Sequence, residues 1–500
     1  MLRNLFEWRG LGRLLLSPWP LRLFRVGLFA LLLGMLAWGW HQHAIPGVTT
    51  PDPLMYTNLT SQLFWVWWMF AVVLLALFFG RAWCSVCPVG WLNEVVARFG
   101  LARPLPSWLD NFVPVTLTLV LLQLAVYLFA IHRYPDYTAR LIGLMLLLAL
   151  LLGLVFRKRA FCTLFCPAGA VLGLYARIAP WQLRVADEDI CAGCAGRECV
   201  SGGRHWARLS LGNAVLYWHG RRRECPVDLI PAEVRDSGAC QLCLQCARNC
   251  PHKNLRLGGR PWLADLVPGT LSASENFFLL VLLGLLTANF TKFYTELRET
   301  IFRVPEQAAV LLGWEAGGYY LLATLWVTLA LPVLLLLPGW LLLKLGRLRI
   351  HPQAASPPSS DLPLPDRTPG FWAGLGSLAL PCLPLLLAAH LAMGLVKVNA
   401  KAGFLPYALQ DSSGVKSYLA MNVMQLAPPP GILMPLDVLK WLVLAILLAG
   451  FAGALLAARR MAARLENHDS SRFGQGAAGL VVLCCGALYI AVVVQWLFIR

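Results

Sequence analysis

Nine nearly continuous apolar runs, each about 20 residues long, dominate the 500-residue chain. They fall at roughly 23–40, 62–80, 112–131, 139–156, 276–292, 318–343, 371–393, 434–458 and 478–498. That length is what an α-helix needs to cross a hydrocarbon core, where the backbone must satisfy its own polar groups. The chain therefore reads as a polytopic α-helical membrane protein. Composition supports this: 58% of residues are hydrophobic and 13% charged, against about 25% charged in soluble proteins. An ordinary soluble globule, a disordered tail and a small disulfide scaffold are excluded. No small-residue cleavage site follows the first run, which reads as a retained anchor.

Loop charges set the expected orientation, because Lys and Arg resist translocation. The leading segment holds Arg3, Arg9, Arg13, Arg22 and Arg25, whereas 41–61 holds none. Arg81, Arg98 and Arg103 follow the second run, and Arg157, Lys158 and Arg159 open a polar, cysteine-rich insert at about 157–270. Lys344, Arg347, Arg349 and Arg367 then alternate with a sparser Lys397, Lys401, Lys416 loop, before Arg459, Arg460, Arg464 and Arg472. The consistent solution is a bacterial cytoplasmic (inner) membrane protein with N-terminus and insert cytoplasmic and C-terminus periplasmic. The expected modules are 1–156 (four spans), 157–270 (the insert) and 271–500 (five spans). Loop 351–369 reads as a Pro/Ser-rich linker, and 394–433 as an outward loop with room for a short interfacial helix. The net charge of +17 suits anionic lipid headgroups; no recognition fold accompanies it, so no nucleic-acid partner is expected.

Twelve of the 15 cysteines lie between positions 84 and 250. A reducing compartment favours metal or redox use there over disulfides. Cys240-x2-Cys243-x2-Cys246-x3-Cys250-Pro251 is the bacterial ferredoxin run, whose fourth Cys ligates a second cube. The partial run Cys191-x2-Cys194-x4-Cys199, followed by Cys225-Pro226, supplies the complement. The expected sets are Cys191, Cys194, Cys199 and Cys250 on one [4Fe–4S] cluster, and Cys240, Cys243, Cys246 and Cys225 on another. The insert thus reads as a small α+β, ferredoxin-like 2[4Fe–4S] domain. A pair of four-cysteine zinc sites is the alternative.

Two further motifs match each other. Arg81-Ala82-Trp83-Cys84-x2-Cys87-Pro88-x-Gly90 recurs as Arg159-Ala160-Phe161-Cys162-x3-Cys166-Pro167-x-Gly169. Each ends a two-span hairpin, so an internal duplication brings both to one membrane face about a pseudo-two-fold axis. Cys84, Cys87, Cys162 and Cys166 then supply the ligands of a third cluster. Reduced structural thiols in tight Pro turns, or a dithiol/disulfide couple, are the other readings.

The paired Cys-Pro motifs followed by a two-cluster insert resemble the NapH/NosR family of membrane-bound iron–sulfur proteins over about residues 60–260. The first motif here is CxxCP where the family carries CxxxCP. The resemblance implies a respiratory electron-transfer subunit of a quinol-linked oxidoreductase complex. It would pass electrons between the quinone pool and a partner redox complex, with quinone, other subunits of that complex and membrane lipids as partners. One rival is a metal-centre assembly factor, a membrane-bound metal reductase for oxidase maturation. A second is a transporter built on the last five spans.

Quinone candidates are His390, which sits within a span where ionisable groups are costly, and Asn93 and Glu94 just past Cys87. Asn289 and Lys292 are weaker ones. His41, His43, His132 and His390 near span ends leave bis-His haem b open; water-satisfied interfacial histidines are the commoner outcome. No Cys-x-x-Cys-His occurs, which excludes c-type haem attachment in this chain. Cys382, Cys484 and Cys485 read as packed small hydrophobes. Arg221, Arg222 and Arg223, with Trp206 and Trp218, read as a lipid-facing patch or a dock for an acidic partner.

Overall fold

A computed structural model describes residues 4–202, 204–211, 214–221, 224–234, 236–266, 271–350, 371–463 and 471–499. Loop 351–369, Arg3, Arg222, Arg223, Arg367 and Arg464 lie outside the described residues. Among the described residues, eight helices are long and apolar enough to cross a membrane: Pro18–Gly39, Leu59–Phe79, Pro135–Val155, Ala273–Phe293, Ala316–Leu345, Gly374–Gln410, Leu436–Met461 and Gly476–Ile499. Length and composition make this a membrane protein. The remaining expected run, 112–131, forms Val113–Phe129, 17 residues ending at Ala130 in the left-handed region (φ 47°). That is the short end of what spans hydrocarbon.

Two features depart from apolar run length. The seventh expected run continues past 393 through Lys401 and Leu405–Gln410. It takes over the first part of the expected outward loop, where Val415–Tyr418 and a π-turn at Leu419–Val423 follow. A further helix, Thr295–Leu311, carries Glu296, Arg298, Glu299, Arg303 and Glu306 and so resembles no span. Its Ile301 and Phe302 nevertheless pack on Val281, Leu285, Ala288, Val327 and Leu331.

The chain divides into two compact units: Met1–Gly34, Leu75–Pro106 and Ile142–Asp265 in the first, and Met35–Leu74, Ser107–Leu141 and Leu266–Arg500 in the second. This grouping sets the Cys-Pro motifs and the insert in one unit with most of Pro18–Gly39 and Pro135–Val155. In the first unit, strand β1 (Trp181–Val185) pairs antiparallel with β4 (Leu255–Gly259), Trp181 opposite Gly259 and Val185 opposite Leu255. Between them run β2 (Arg204–Leu211) and β3 (Ala214–Arg221), an antiparallel hairpin formed by the segment separating Cys199 from Cys225. Leu183, Leu244, Leu255 and Leu257 form the core of this α+β insert. Leu5, Phe6 and Leu15 from the N-terminal segment pack on it. Arg248 fixes that segment by donating to the carbonyls of Leu15, Leu16 and Ser17, the orphan acceptors where helix Arg9–Leu16 ends. The N-terminus is thus part of the insert's packing as well as a charged flank.

In the second unit, Ala273–Phe293 runs through the centre with Phe278, Leu279, Val281 and Leu283 fully buried. Thr287 Oγ1 and Tyr489 OH meet at 2.8 Å, so both hydroxyls are satisfied in an apolar interior. Asn58 organises the start of Leu59–Phe79. Its Oδ1 accepts from the backbone N–H of Thr60 (2.9 Å) and Ser61 (3.4 Å), and its Nδ2 donates to Trp38 O (3.1 Å) and Ser413 O (3.0 Å). Gly414 (φ 78°) makes the approach possible: a Cβ there would lie 2.6 Å from Asn58 N. Asn58→Ala removes an N-cap worth about 1 kcal/mol and strands two carbonyls at about 1–3 kcal/mol each. We expect a lower thermal unfolding midpoint in detergent. Asn58→Asp, which keeps the cap but not the two donors, should fall between wild type and Asn58→Ala.

Candidate metal centres

The two Cys-Pro motifs are built alike. Each follows a left-handed residue, Gly80 (φ 55°) and Lys158 (φ 66°), that turns the chain out of the preceding helix. A five-residue helix then carries the first cysteine: Ala82–Val86 with Cys84, and Ala160–Leu164 with Cys162. The second cysteine is the N-cap of the next helix, Cys87 before Pro88–Val96 and Cys166 before Pro167–Ala176, with Pro at the first position. Pro is favoured there because the missing N–H is an orphan anyway. Gly169 N donates to Cys166 Sγ at 3.3 Å, and the backbone N–H groups of Gly90 and Val89 offset part of the upward push of burial on Cys87. Helix N-termini favour negative charge, so the Cys-Pro-x-Gly spacing aims each sulfur at donors suited to a thiolate. The longer CxxxC spacing of the second copy is taken up by Phe165, which intervenes between its short helix and Cys166.

The motifs interlock. A Cβ on Gly90 would lie 3.1 Å from Cys162 Sγ and 3.5 Å from Arg159 Nη1. A Cβ on Gly169 would lie 3.4 Å from Arg81 Nη2 and 3.5 Å from Cys166 Sγ. Each copy's glycine therefore makes room for the other copy's arginine. Arg159 has a fully buried side chain. It donates through Nε and Nη2 to Glu94 Oε2 (3.1 and 2.7 Å), and through Nη1 to Cys84 O and to Gln241 Oε1 (2.8 Å). Arg81 Nη1 donates to Gly238 O at 3.0 Å. Arg25, 1% exposed, donates to Ser85 O at 2.8 Å between the first pair of cysteines. Cys166 is held up by burial and then by Cys162, Cys87 and Cys84. Burial pushes Cys162 up to about 12, with Arg159 pulling the other way.

In the insert, Cys225, Cys240, Cys243 and Cys246 line one cavity together with Leu183 and Val234. Cys191, Cys194, Cys199 and Cys250 line a second, larger one, with His252 and Asn254. Backbone N–H groups of Leu242, Gln245 and Ala247 offset part of the upward push of burial on Cys240, Cys243 and Cys246. Leu242 (φ 50°) and Leu244 (φ 59°) adopt the left-handed region to turn the loop this way, strain of the kind kept at functional sites. Asn254 donates to Cys250 Sγ and Cys191 Sγ, each at 3.4 Å. Burial pushes Cys243 up to about 11, against the pull of the Gln245 N–H and Arg159.

The donor sets fit iron–sulfur clusters: four soft thiols per set, with N–H groups directed at sulfur. Among the described residues, no three His, Cys, Asp or Glu side chains converge closely enough to hold a single metal ion. A cavity ringed by thiols suits a polynuclear centre. Cluster binding displaces the thiol protons that burial favours.

The other candidates fall elsewhere. Asn93 is fully buried, donating to Ala149 O at 2.7 Å and accepting from Phe161 N at 3.3 Å. Glu94 is engaged by Arg159 and, at 3.6 Å, by Arg98. Both side chains thus hold the repeats together. His390 is half-buried within its span. His132 lies in the turn after Val113–Phe129, edge-on to Trp65 at 6.3 Å. Burial, reinforced by Lys397 and Lys292, lowers its pKa to about 4. His43 Nδ1 lies 3.0 Å from Asp136 Oδ1, and its ring stacks on Tyr134 at 4.4 Å. His41 takes a left-handed φ of 62° beside Trp40. Lys292 donates to Asn289 at 2.7 Å. Cys382 and Cys485 are buried side by side, and Cys484 is exposed. Sequence reasoning missed Arg25, Arg81, Arg159 and Gln241 as builders of the site. The available signal was that Arg81 and Arg159 head both copies of the repeat.

Residues 61–106 and 139–185 match the family described as 4Fe-4S binding domain. The matched segments hold Cys84 and Cys87 in one and Cys162 and Cys166 in the other, while the insert cysteines lie outside them. The chain is 26% identical over 214 residues to "Putative electron transport protein YccM" of Escherichia coli, a match covering 36% of this chain and 52% of the relative. It is 29% identical over 190 residues to an uncharacterized protein of Methanocaldococcus jannaschii (36% and 64%). To a second from the same organism it is 25% identical over 198 residues (36% and 72%). The chain thus spans less than two thirds of the length of the first two relatives. No solved structure matches it. These findings support iron–sulfur binding by the two Cys-Pro segments.

The interlock is directly testable. Gly90→Val should displace Cys162 and remove about four irons per chain, one cluster's worth, with Gly169→Val doing the same from the other copy. Iron analysis of anaerobically purified protein checks this; full iron content in both variants would refute it.

Proposed function

We propose that the chain is a NapH/NosR-like respiratory electron-transfer subunit that passes electrons between the membrane quinone pool and a partner redox complex. Three [4Fe–4S] clusters would carry them. The observation that bears this reading is that eight insert cysteines line two cavities as the two expected quartets, in the same compact unit as the interlocked Cys-Pro repeats. The insert pairing of the sets is supported by the two cavities, each lined by one expected quartet. The third set is supported by the match of both Cys-Pro segments to a 4Fe-4S binding domain. When bound, such a cluster accepts and releases one electron at a time. The chain's own residues do the rest. Cysteine sulfurs hold the iron, backbone N–H groups orient the sulfurs, and Leu183, Leu244, Leu255 and Leu257 exclude water. The pattern of positive loops supports a cytoplasmic insert and N-terminus and a periplasmic C-terminus. His390, half-buried within its span, remains the quinone candidate.

Anaerobic purification with iron and sulfide analysis tests the cluster count. About twelve irons per chain, with three distinct EPR signals on reduction, are expected at four irons per cluster. Cys84→Ser and Cys162→Ser should each remove one signal and abolish quinol-dependent reduction of the insert clusters. About eight irons, on the same count, in wild-type protein would leave the Cys-Pro set without a cluster.

A further inference from the structure

Two guanidiniums, one from each repeat, bracket the Cys84, Cys87, Cys162 and Cys166 set. Arg159 is fully buried, and its Nη1 and Cys162 Sγ both lie within 3.5 Å of the Cβ position of Gly90. Arg81 Nη2 and Cys166 Sγ share the corresponding space at Gly169. The positive charge of Arg81 acts on Cys84, Cys162 and Cys166, and that of Arg159 on Cys162 and Cys243. Arg159 also donates to Cys84 O and to Gln241, between Cys240 and Cys243, so one side chain contacts the chain segments that carry both sets.

We propose that Arg81 and Arg159 are fixed cations that raise the reduction potential of the cluster held by the Cys-Pro repeats, with Glu94 as the counter-charge that limits the rise and Gln241 as the tie to the neighbouring set. This rests on the cluster reading above. The step is a one-electron reduction by a neighbouring iron–sulfur cluster, in which one ferric iron becomes ferrous. No proton moves with the electron, because a guanidinium does not release one in this range. The added negative charge lies in a low-dielectric interior, where a nearby cation stabilises it far more than in water. Removing a cation therefore lowers the midpoint, and removing the anion that pairs with it raises the midpoint. A side chain that only held the fold together would not produce opposite signs at Arg159 and Glu94, which touch each other at 2.7 Å.

EPR-monitored redox titration of the full-length protein in detergent tests this. Arg159→Gln and Arg81→Gln should each shift one signal downward by about tenfold in the reduction equilibrium, which is about 59 mV for one electron. Glu94→Gln should shift the same signal upward, and Arg159→Lys, which keeps the charge, should move it least. The signal of the Cys191, Cys194, Cys199 and Cys250 set should stay in place. Unchanged midpoints in both arginine variants, or equal shifts for Arg159→Lys and Arg159→Gln, would overturn the proposal. So would loss of iron from both Arg→Gln variants while Arg159→Lys keeps it, since the arginines would then only build the site. Eight irons in wild-type protein, on four per cluster, instead overturns the cluster reading beneath it.

Discussion

A guanidinium taken out of water must find partners for its fixed fork of donors, and Arg159 finds them on three separate pieces of chain. It holds the carboxylate of Glu94 from the first repeat, the carbonyl of Cys84 in the first Cys-Pro motif, and the amide of Gln241 in the ferredoxin run. Breaking such a buried pair by removing one partner strands a charge, which is costly. The arrangement therefore locks the two repeats and the insert into one geometry, and the positions of the cysteines follow from that lock.

The duplication explains why the lock works. Each copy ends its span with a left-handed residue, projects an arginine, and uses its second cysteine as a helix N-cap. Each also leaves a glycine where the other copy's arginine enters. An unpartnered thiolate is disfavoured in such an interior, as the upward displacement of Cys162 by burial shows. What offsets this is directed positive potential from backbone N–H groups, arginine and, when present, iron.

The second unit follows a different logic. Its central helix is buried on all sides, so its few polar groups are paired internally, as with Thr287 and Tyr489. Polar tethers concentrate where helices begin and end. Asn58 binds the start of one span to a distant loop, and His43 joins Asp136, which Arg140 also engages at 3.2 Å. Trp65 reaches Thr138 at 2.9 Å in the same fashion. Close helix approach is bought with small residues: a Cβ on Gly284 would run into Val327 O, and one on Gly450 into Ala388.

Run length and cysteine spacing were enough to mark the chain as a helical membrane protein with iron–sulfur motifs and an internal repeat, because each of these is a local pattern along the chain. Tertiary structure alone decided the rest. Thr295–Leu311 was hidden by its charges, although its apolar face packs into the core. The docking of Leu5, Phe6 and Leu15 on the insert depends on Arg248, more than two hundred residues away. Asn93 and Glu94 looked available for a ligand until their hydrogen bonds to the second repeat were seen. Arg81 and Arg159 looked like topology markers, since a positive residue beside a span reads the same whether it faces water or a thiol. Spacing records which residues recur; only the fold records which distant partner satisfies each buried charge.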